Sequence, residues 1–391
     1  MSEPIRVLMV SGEYPPQFGG VGDYTARLCA ALRPEAVRVA LLTGGATRVL
    51  EHCAKVGNPI WVARGVPRWG VGTYRAVLGA AQRLGADVVH VQYQAGAYQL
   101  QAAANLLPLW MRLRAPWLRA AVTFHDLRPP YLFPKAGPLR PAMVRLMADM
   151  AHGVVCTEPA DLAALGTRPG RRWIPLASNI DCAPPPDFEP QAWRRARGLP
   201  VDAPLVGFFG FLNASKGVET LLRALAQLPE ARLALLGAEA GPSDATDRRE
   251  AQRLRALAAS LGLEGRVWRS GSLPAAELSA ALLACDVIAL PFVDGASGRR
   301  GSLLAALTHG RAVVTTHGPQ AGVVTEGQDA LLVPPGDSTA LADALRNVLQ
   351  SSELRARLEQ GARRLAARFT WPAIARAHEE WYAELARAPR R

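Results

Sequence analysis

Six apolar runs punctuate the first half of this chain, at residues 5–10, 37–42, 60–62, 87–91, 120–123 and 153–156. Runs this short, with apolar residues bound for both faces, read as buried parallel strands. Between them lie stretches with apolar residues at helical spacing. One begins near Gly22-Asp23 with Tyr24, Leu28 and Leu32 four apart, and others cover 74–84, 101–113 and 143–150. A strand apolar on both faces needs cover on both, so this alternation predicts a parallel sheet wound with helices on either side.

Residues 181–190 (DCAPPPDFEP) interrupt the pattern with four prolines, the composition of a linker. A second alternation follows, with strands at 205–209, 233–236, 266–268, 286–290 and 312–314. After Lys216, a helix carries Val218, Leu221, Leu222, Leu225 and Leu228 on one face, and further helices cover 250–261 and 276–283. At 391 residues the chain exceeds one ordinary core and suits two domains of roughly 150–200 residues. The expected architecture is α/β: two Rossmann-like, doubly wound parallel-sheet domains facing a central cleft, over residues 1–184 and 185–368. No sequence-level repeat relates them. In 369–391, Trp371, Ile374, Trp381, Tyr382 and Leu385 recur at helical spacing, which predicts a helix returning across the first domain.

Within the second half, residues 290–316 (LPFVDGASGRRGSLLAALTHGRAVVTT) run from a strand end through a glycine-rich turn into a helix that opens at Gly301-Ser302 and closes at Gly310. Backbone N–H groups at such a helix start, with Arg299 and Arg300 beside them, suit an anion, above all a phosphate. An ordinary strand–helix junction with two solvated arginines is the competing account. Asp294 either holds a ligand hydroxyl or orients one of those arginines. Lys216, one of three lysines against a strong arginine bias, stands just before a helix. A cation there is unfavourable beside the positive end of the helix dipole unless an anion is bound.

The formal charge of +12 calls for an acidic partner. No nucleic-acid motif is present, which leaves a phosphorylated substrate or an anionic membrane surface. Trp110, Arg112, Arg114, Trp117 and Arg119 suit either peripheral contact with the inner membrane face or a core helix flanked by arginines. The loop 129–140, with Lys135, suits an acceptor side. Five scattered cysteines without metal-type spacing read as reduced thiols in a cytoplasmic protein, and no metal site or cofactor is expected. No run reaches the ~20 residues of a membrane span, and the amino terminus lacks a signal peptide's basic start. His90 lies inside an apolar strand and reads as structural.

Several of these motifs, taken in order, resemble family 4 glycosyltransferases. Residues 208–217 (FFGFLNASKG) are similar to the strand–loop–helix that holds the donor's diphosphate in that family. Gly19-Gly20 after the first strand, His125-Asp126 after a middle strand and 176–180 (LASNI) follow the family's order, as do Gly237, residues 271–273 and the 286–314 stretch. The resemblance implies a GT-B fold and a hexosyltransferase of glycan biosynthesis. It would move a sugar from a nucleotide-diphosphate sugar to a glycan, lipid-linked or small-molecule acceptor, without metal and with retention. It also implies donor binding by Gly19, Gly20, Gly210, Asn213, Lys216, Gly237, Gly301 and Ser302, with His125 and Lys216 at the reacting centre; Asp294, Arg299 and Arg300 join the donor-binding set by their place in the sequence alone.

The chain departs from the family pattern at three positions. Aligned on Gly310, Ser297 and Ala305 occupy the places of two glutamates, the second of which meets the nucleotide's ribose. Phe211 stands where an arginine commonly meets the diphosphate. These losses support an alternative reading, a non-catalytic GT-B protein that binds sugar or serves as a partner subunit in glycan assembly.

Overall fold

The computed structural model describes residues 3–17, 19–45, 49–53, 60–131, 136–238, 245–318 and 323–388. The chain divides into two units, Met1–Ala177 with Thr370–Arg391, and Ser178–Phe369. The break lies just before the proline-rich stretch 181–190 rather than within it at 184. That stretch is tied to the second unit, where the Ala183 amide donates to Ser279 Oγ at 2.9 Å.

The first unit contains β1 (Ile5–Ser11), β2 (Val37–Gly44), β3 (Val49–Cys53), β4 (Ile60–Val66), β5 (Val88–Tyr93), β6 (Arg119–Phe124), β7 (Gly153–Cys156) and β8 (Arg171–Trp173). Helices α1 (Gly20–Ala31), α2 (Gly72–Leu84), α3 (Ala103–Arg114), α4 (Leu139–Met150) and α5 (Pro159–Leu165) connect them. The sheet order is β3-β4-β2-β1-β5-β6-β7-β8. All pairs are parallel except β3 with β4, so an antiparallel hairpin closes one edge. This edge strand, together with β8 and α5, was not legible as apolar periodicity. The strand order reverses between β1 and β5, and in open α/β sheets ligands bind at the carboxyl ends of strands beside such a reversal.

The second unit contains β9 (Leu205–Phe209), β10 (Arg232–Leu236), β11 (Val267–Arg269), β12 (Val287–Leu290), β13 (Val313–Thr316) and β14 (Leu331–Val333). Its helices are α6 (Pro190–Arg195), α7 (Val218–Ala226), α8 (Ala245–Ser260), α9 (Ala275–Ala284), α10 (Gly301–Thr308), α11 (Ser338–Gln350) and α12 (Ser352–Ala366). The sheet is wholly parallel in the order β11-β10-β9-β12-β13-β14, with the reversal between β9 and β12. The expected apolar face of α7 is fully buried, from Val218 to Leu225, with Leu228 just past the helix end.

The last helix, α13 (Trp371–Arg387), belongs to the first unit. Thr370 caps its start, and Ile374, Trp381, Tyr382 and Leu385 enter the core formed with β1, β2 and α1. Each of these side chains contributes roughly 1.5–3 kcal/mol by burial. Gly153 makes room for the helix, because a Cβ there would lie 2.6 Å from the Trp381 ring. Glu379 accepts from the Arg33 amide at 2.8 Å and from its guanidinium at 2.9 Å.

Candidate active site

The loops after β9 and β12 meet at the second sheet's reversal. Residues Ala214–Lys216 form a single 3₁₀ turn, and the Val293 amide donates to Ser215 O at 3.0 Å, joining the two loops. Gly217 is required at this junction. Its φ is 67°, and a Cβ would stand 1.8 Å from Pro291 O. The backbone contact delivers Lys216 and Arg300 to one aromatic ring: Lys216 Nζ lies 5.2 Å and Arg300 Cζ 4.6 Å from the centroid of buried Phe292. A ring face attracts cations, so Phe292 holds both charges. Asp294 forms an ion pair with Arg300. Burial pushes the Lys216 ammonium down to about 8; the Arg300 charge adds to that shift and Asp294 opposes it.

Helix α10 starts directly after Arg300. No side chain caps it and its first turn holds no acidic residue, whereas α11, α12 and α13 are capped by Asp337, Ser351 and Thr370. Ser302 is 6% exposed and its hydroxyl has no hydrogen-bond partner. Arg299 is half-buried beside the helix start. Cations and an uncapped helix start together make a receptor for an anion with several oxygens.

Other expected donor residues are engaged within the protein. The Gly210 amide donates to Leu236 O at 3.2 Å and the Gly237 amide to Ser270 Oγ at 3.0 Å, so neither N–H faces outward for a phosphate. Asn213 Oδ1 accepts from Ser215 Oγ at 2.8 Å and shapes the Lys216 turn. Ala305 is fully buried inside α10, where no ribose can reach it, and Phe211 is 47% exposed.

In the first unit, the approach expected at Gly19-Gly20 is already taken by an acid the sequence reading missed. Glu13 Oε1 accepts from the Val21 and Gly22 amides at 3.1 and 3.3 Å, at the start of α1. A Cβ on Gly19 would lie 2.0 Å from that oxygen. Burial nonetheless raises the Glu13 carboxyl, because desolvation outweighs the two amide bonds. His125 sits at the carboxyl end of β6, 7% exposed, with Nε2 3.0 Å from Gln92 Oε1 and its ring edge-on to Tyr24 at 4.8 Å. His90 is buried between Tyr382 Oη at 2.6 Å and Thr123 Oγ1 at 2.8 Å.

Trp110 stacks on Tyr74 with centroids 5.3 Å apart, and Arg119 is buried against Ala388 O, which suits the core reading of that region. Leu113 and Trp117 remain exposed, and Lys135 lies outside the described residues. No helix among the described residues is long and apolar enough to cross a membrane. None of their His, Cys, Asp or Glu groups could hold a metal ion, and Cys29, Cys156, Cys182 and Cys285 are free thiols. The functional neighbours missed were Phe292, Glu13 and Gln92. A glutamine at the end of the apolar run at 87–91 was a usable signal for the last; nothing in sequence distinguished Phe292.

Comparison with known proteins fits this architecture. Residues 203–351 match the family described as Glycosyl transferases group 1, and residues 19–176 match the Glycosyl transferase 4-like domain. The D-inositol 3-phosphate glycosyltransferase of Corynebacterium jeikeium is 33% identical over 220 residues, 55% of this chain and 52% of that protein. Its counterpart in Xylanimonas cellulosilytica is 34% identical over 251 residues, 62% of this chain and 57% of that protein. The chain thus spans about half the length of the curated relatives it matches. Sucrose-phosphate synthase from Thermosynechococcus elongatus superposes with a TM-score of 0.76 at 22% identity, covering 98% of this chain and all of that one. HepE of Anabaena, solved with UDP and glucose, gives 0.71 at 19% identity, covering 96% and 98%.

Proposed function

The chain belongs to the family 4 glycosyltransferases of GT-B fold, and from that premise we propose that it moves a sugar from a nucleotide-diphosphate sugar to an acceptor hydroxyl. The observation that carries this reading is the cationic pair on Phe292 beside the uncapped start of α10. A sugar's departure leaves negative charge on a diphosphate, and groups placed to meet that charge lower the barrier. Lys216, Arg300 and the amides of Gly301 and Ser302 take that role; Arg299 adds positive charge. His125 is assigned to contact with a sugar. We assign transfer with retention: the acceptor attacks on the leaving group's face and its proton passes to the departing phosphate. No metal takes part, and full activity in a chelator tests this. The reaction is assigned to the cytoplasm, with a glycan, a lipid-linked molecule or a small molecule as acceptor and with peripheral contact at the inner membrane face.

The buried Ala305 favours one second reading, a non-catalytic protein of the same fold that binds sugar or partners another subunit, because the ribose anchor of the family is missing. Titration with UDP, GDP, dTDP and ADP, followed by thermal stability without added metal, separates the two. A ligand at ~100 times its dissociation constant adds about 2.7 kcal/mol. The transferase reading expects a shift with one nucleotide that disappears in Lys216→Ala. No shift with any of the four puts the non-catalytic reading first.

A further inference from the structure

We propose that Gln92 is a positioning residue that fixes the proton of His125 on Nε2. The proposal rests on the reading of His125 as a residue of the reacting centre.

A carbonyl oxygen can only accept, so the 3.0 Å contact between Gln92 Oε1 and His125 Nε2 requires a proton on that nitrogen. The amide could reverse this only by turning over, and its surroundings oppose that. Gln92 Nε2 faces Met9 Sδ at 3.0 Å, a weak acceptor that suits an N–H and would repel an oxygen. The same amide nitrogen lies 3.4–3.5 Å from the ring nitrogens of His90. His90 is completely buried, and desolvation holds it well below the usual histidine range, so it is neutral with a single proton. Its two ring nitrogens meet Tyr382 Oη at 2.6 Å and Thr123 Oγ1 at 2.8 Å. Tyr382 comes from α13, which the chain reaches only after completing the second unit. Both ring nitrogens of His90 are thereby taken, so the Gln92 amide rests against the His90 ring without an acceptor there. Four polar groups in a fully buried layer are unusual in a parallel sheet, and a purely structural core at this place would be filled by aliphatic side chains.

The test is ring ¹⁵N NMR of His125, assigned with His125→Asn, beside steady-state kinetics. The parent protein should show the Nε2-protonated tautomer. In Gln92→Met, similar in volume but lacking the acceptor, His125 should lose that single tautomer and kcat should fall by about a hundredfold. UDP affinity should stay unchanged, because the cationic pair lies in the other unit. Gln92→Glu keeps an acceptor oxygen and should restore the Nε2 proton. Gln92→Leu, which also lacks the acceptor, supplies the answer if Gln92→Met does not fold. Unchanged His125 resonances in both variants overturn the inference. Altered resonances with full kcat, in these variants and in His125→Asn, overturn the reading of His125 itself.

Discussion

Lys216 turns the candidate anion site into a measurable pH dependence. Its ammonium titrates near 8 in the free protein, chiefly through burial, and an unperturbed lysine titrates near ~10.4. A diphosphate held against it supplies the missing counter-charge and raises that value. The protonated form therefore binds tightly and the neutral form weakly. Affinity is full below about pH 8 and falls as pH rises through that value, up to the higher pKa of the complex. If the complex keeps its proton to about pH 10, the dissociation constant of UDP should rise about tenfold between about pH 7 and about pH 9. That change equals about 1.4 kcal/mol. Isothermal titration in two buffers of different ionisation enthalpy should also detect proton uptake on binding near pH 9. A guanidinium remains protonated throughout, so Lys216→Arg should bind with a flat profile over the same window, at whatever affinity its different shape allows. A parent protein with a flat profile and no proton uptake would refute the reasoning, because Lys216 would then not face the phosphates.

Other consequences concern charge, backbone, burial and acid. Arg300→Ala should weaken UDP binding by about 1.5–3 kcal/mol, the range for hydrogen bonds to charged groups, read by the same titration. Gly217→Ala forces a Cβ to within 1.8 Å of Pro291 O at a positive φ, so the soluble yield and urea midpoint of the protein should drop, by about 2 kcal/mol or more. Trp381→Ala should cost about 3–5 kcal/mol in chemical denaturation, because Trp381 is fully buried against β7. His378 is buried and its pKa is pushed down to about 4 by desolvation, so the unfolded chain binds a proton that the folded one refuses. Stability is therefore full above about pH 6.5 and declines as pH falls towards 4, by about 2 kcal/mol at pH 5, a loss that His378→Leu should reduce.

How far the sequence carried the fold can be argued element by element. Strands such as Leu205–Phe209 and Gly153–Cys156 stood out because a strand buried on both faces leaves an uninterrupted apolar run. Strand β3, on an edge and antiparallel, has no such requirement and leaves no such run. The short β8, RRW, is legible only through its neighbour β7. The stripe of large apolar residues in α13 gave its buried face.

The candidate site divides in the same way. Lys216, Arg300 and the Gly301 helix start were visible because charge and helix dipole act locally, within a few residues along the chain. The sequence by itself determined the α/β alternation, the two domains and the family pattern, since each rests on periodicity or on short contiguous motifs. Only tertiary structure decided that Phe292 gathers two cations, that Glu13 occupies the glycine loop, and that Tyr382 stands in contact with His90, 292 positions earlier in the chain. The physical reason is that each of these is a pairing across strands or between distant helices. Such pairings are fixed by sheet order and burial, and neither leaves a trace in the spacing of neighbouring residues.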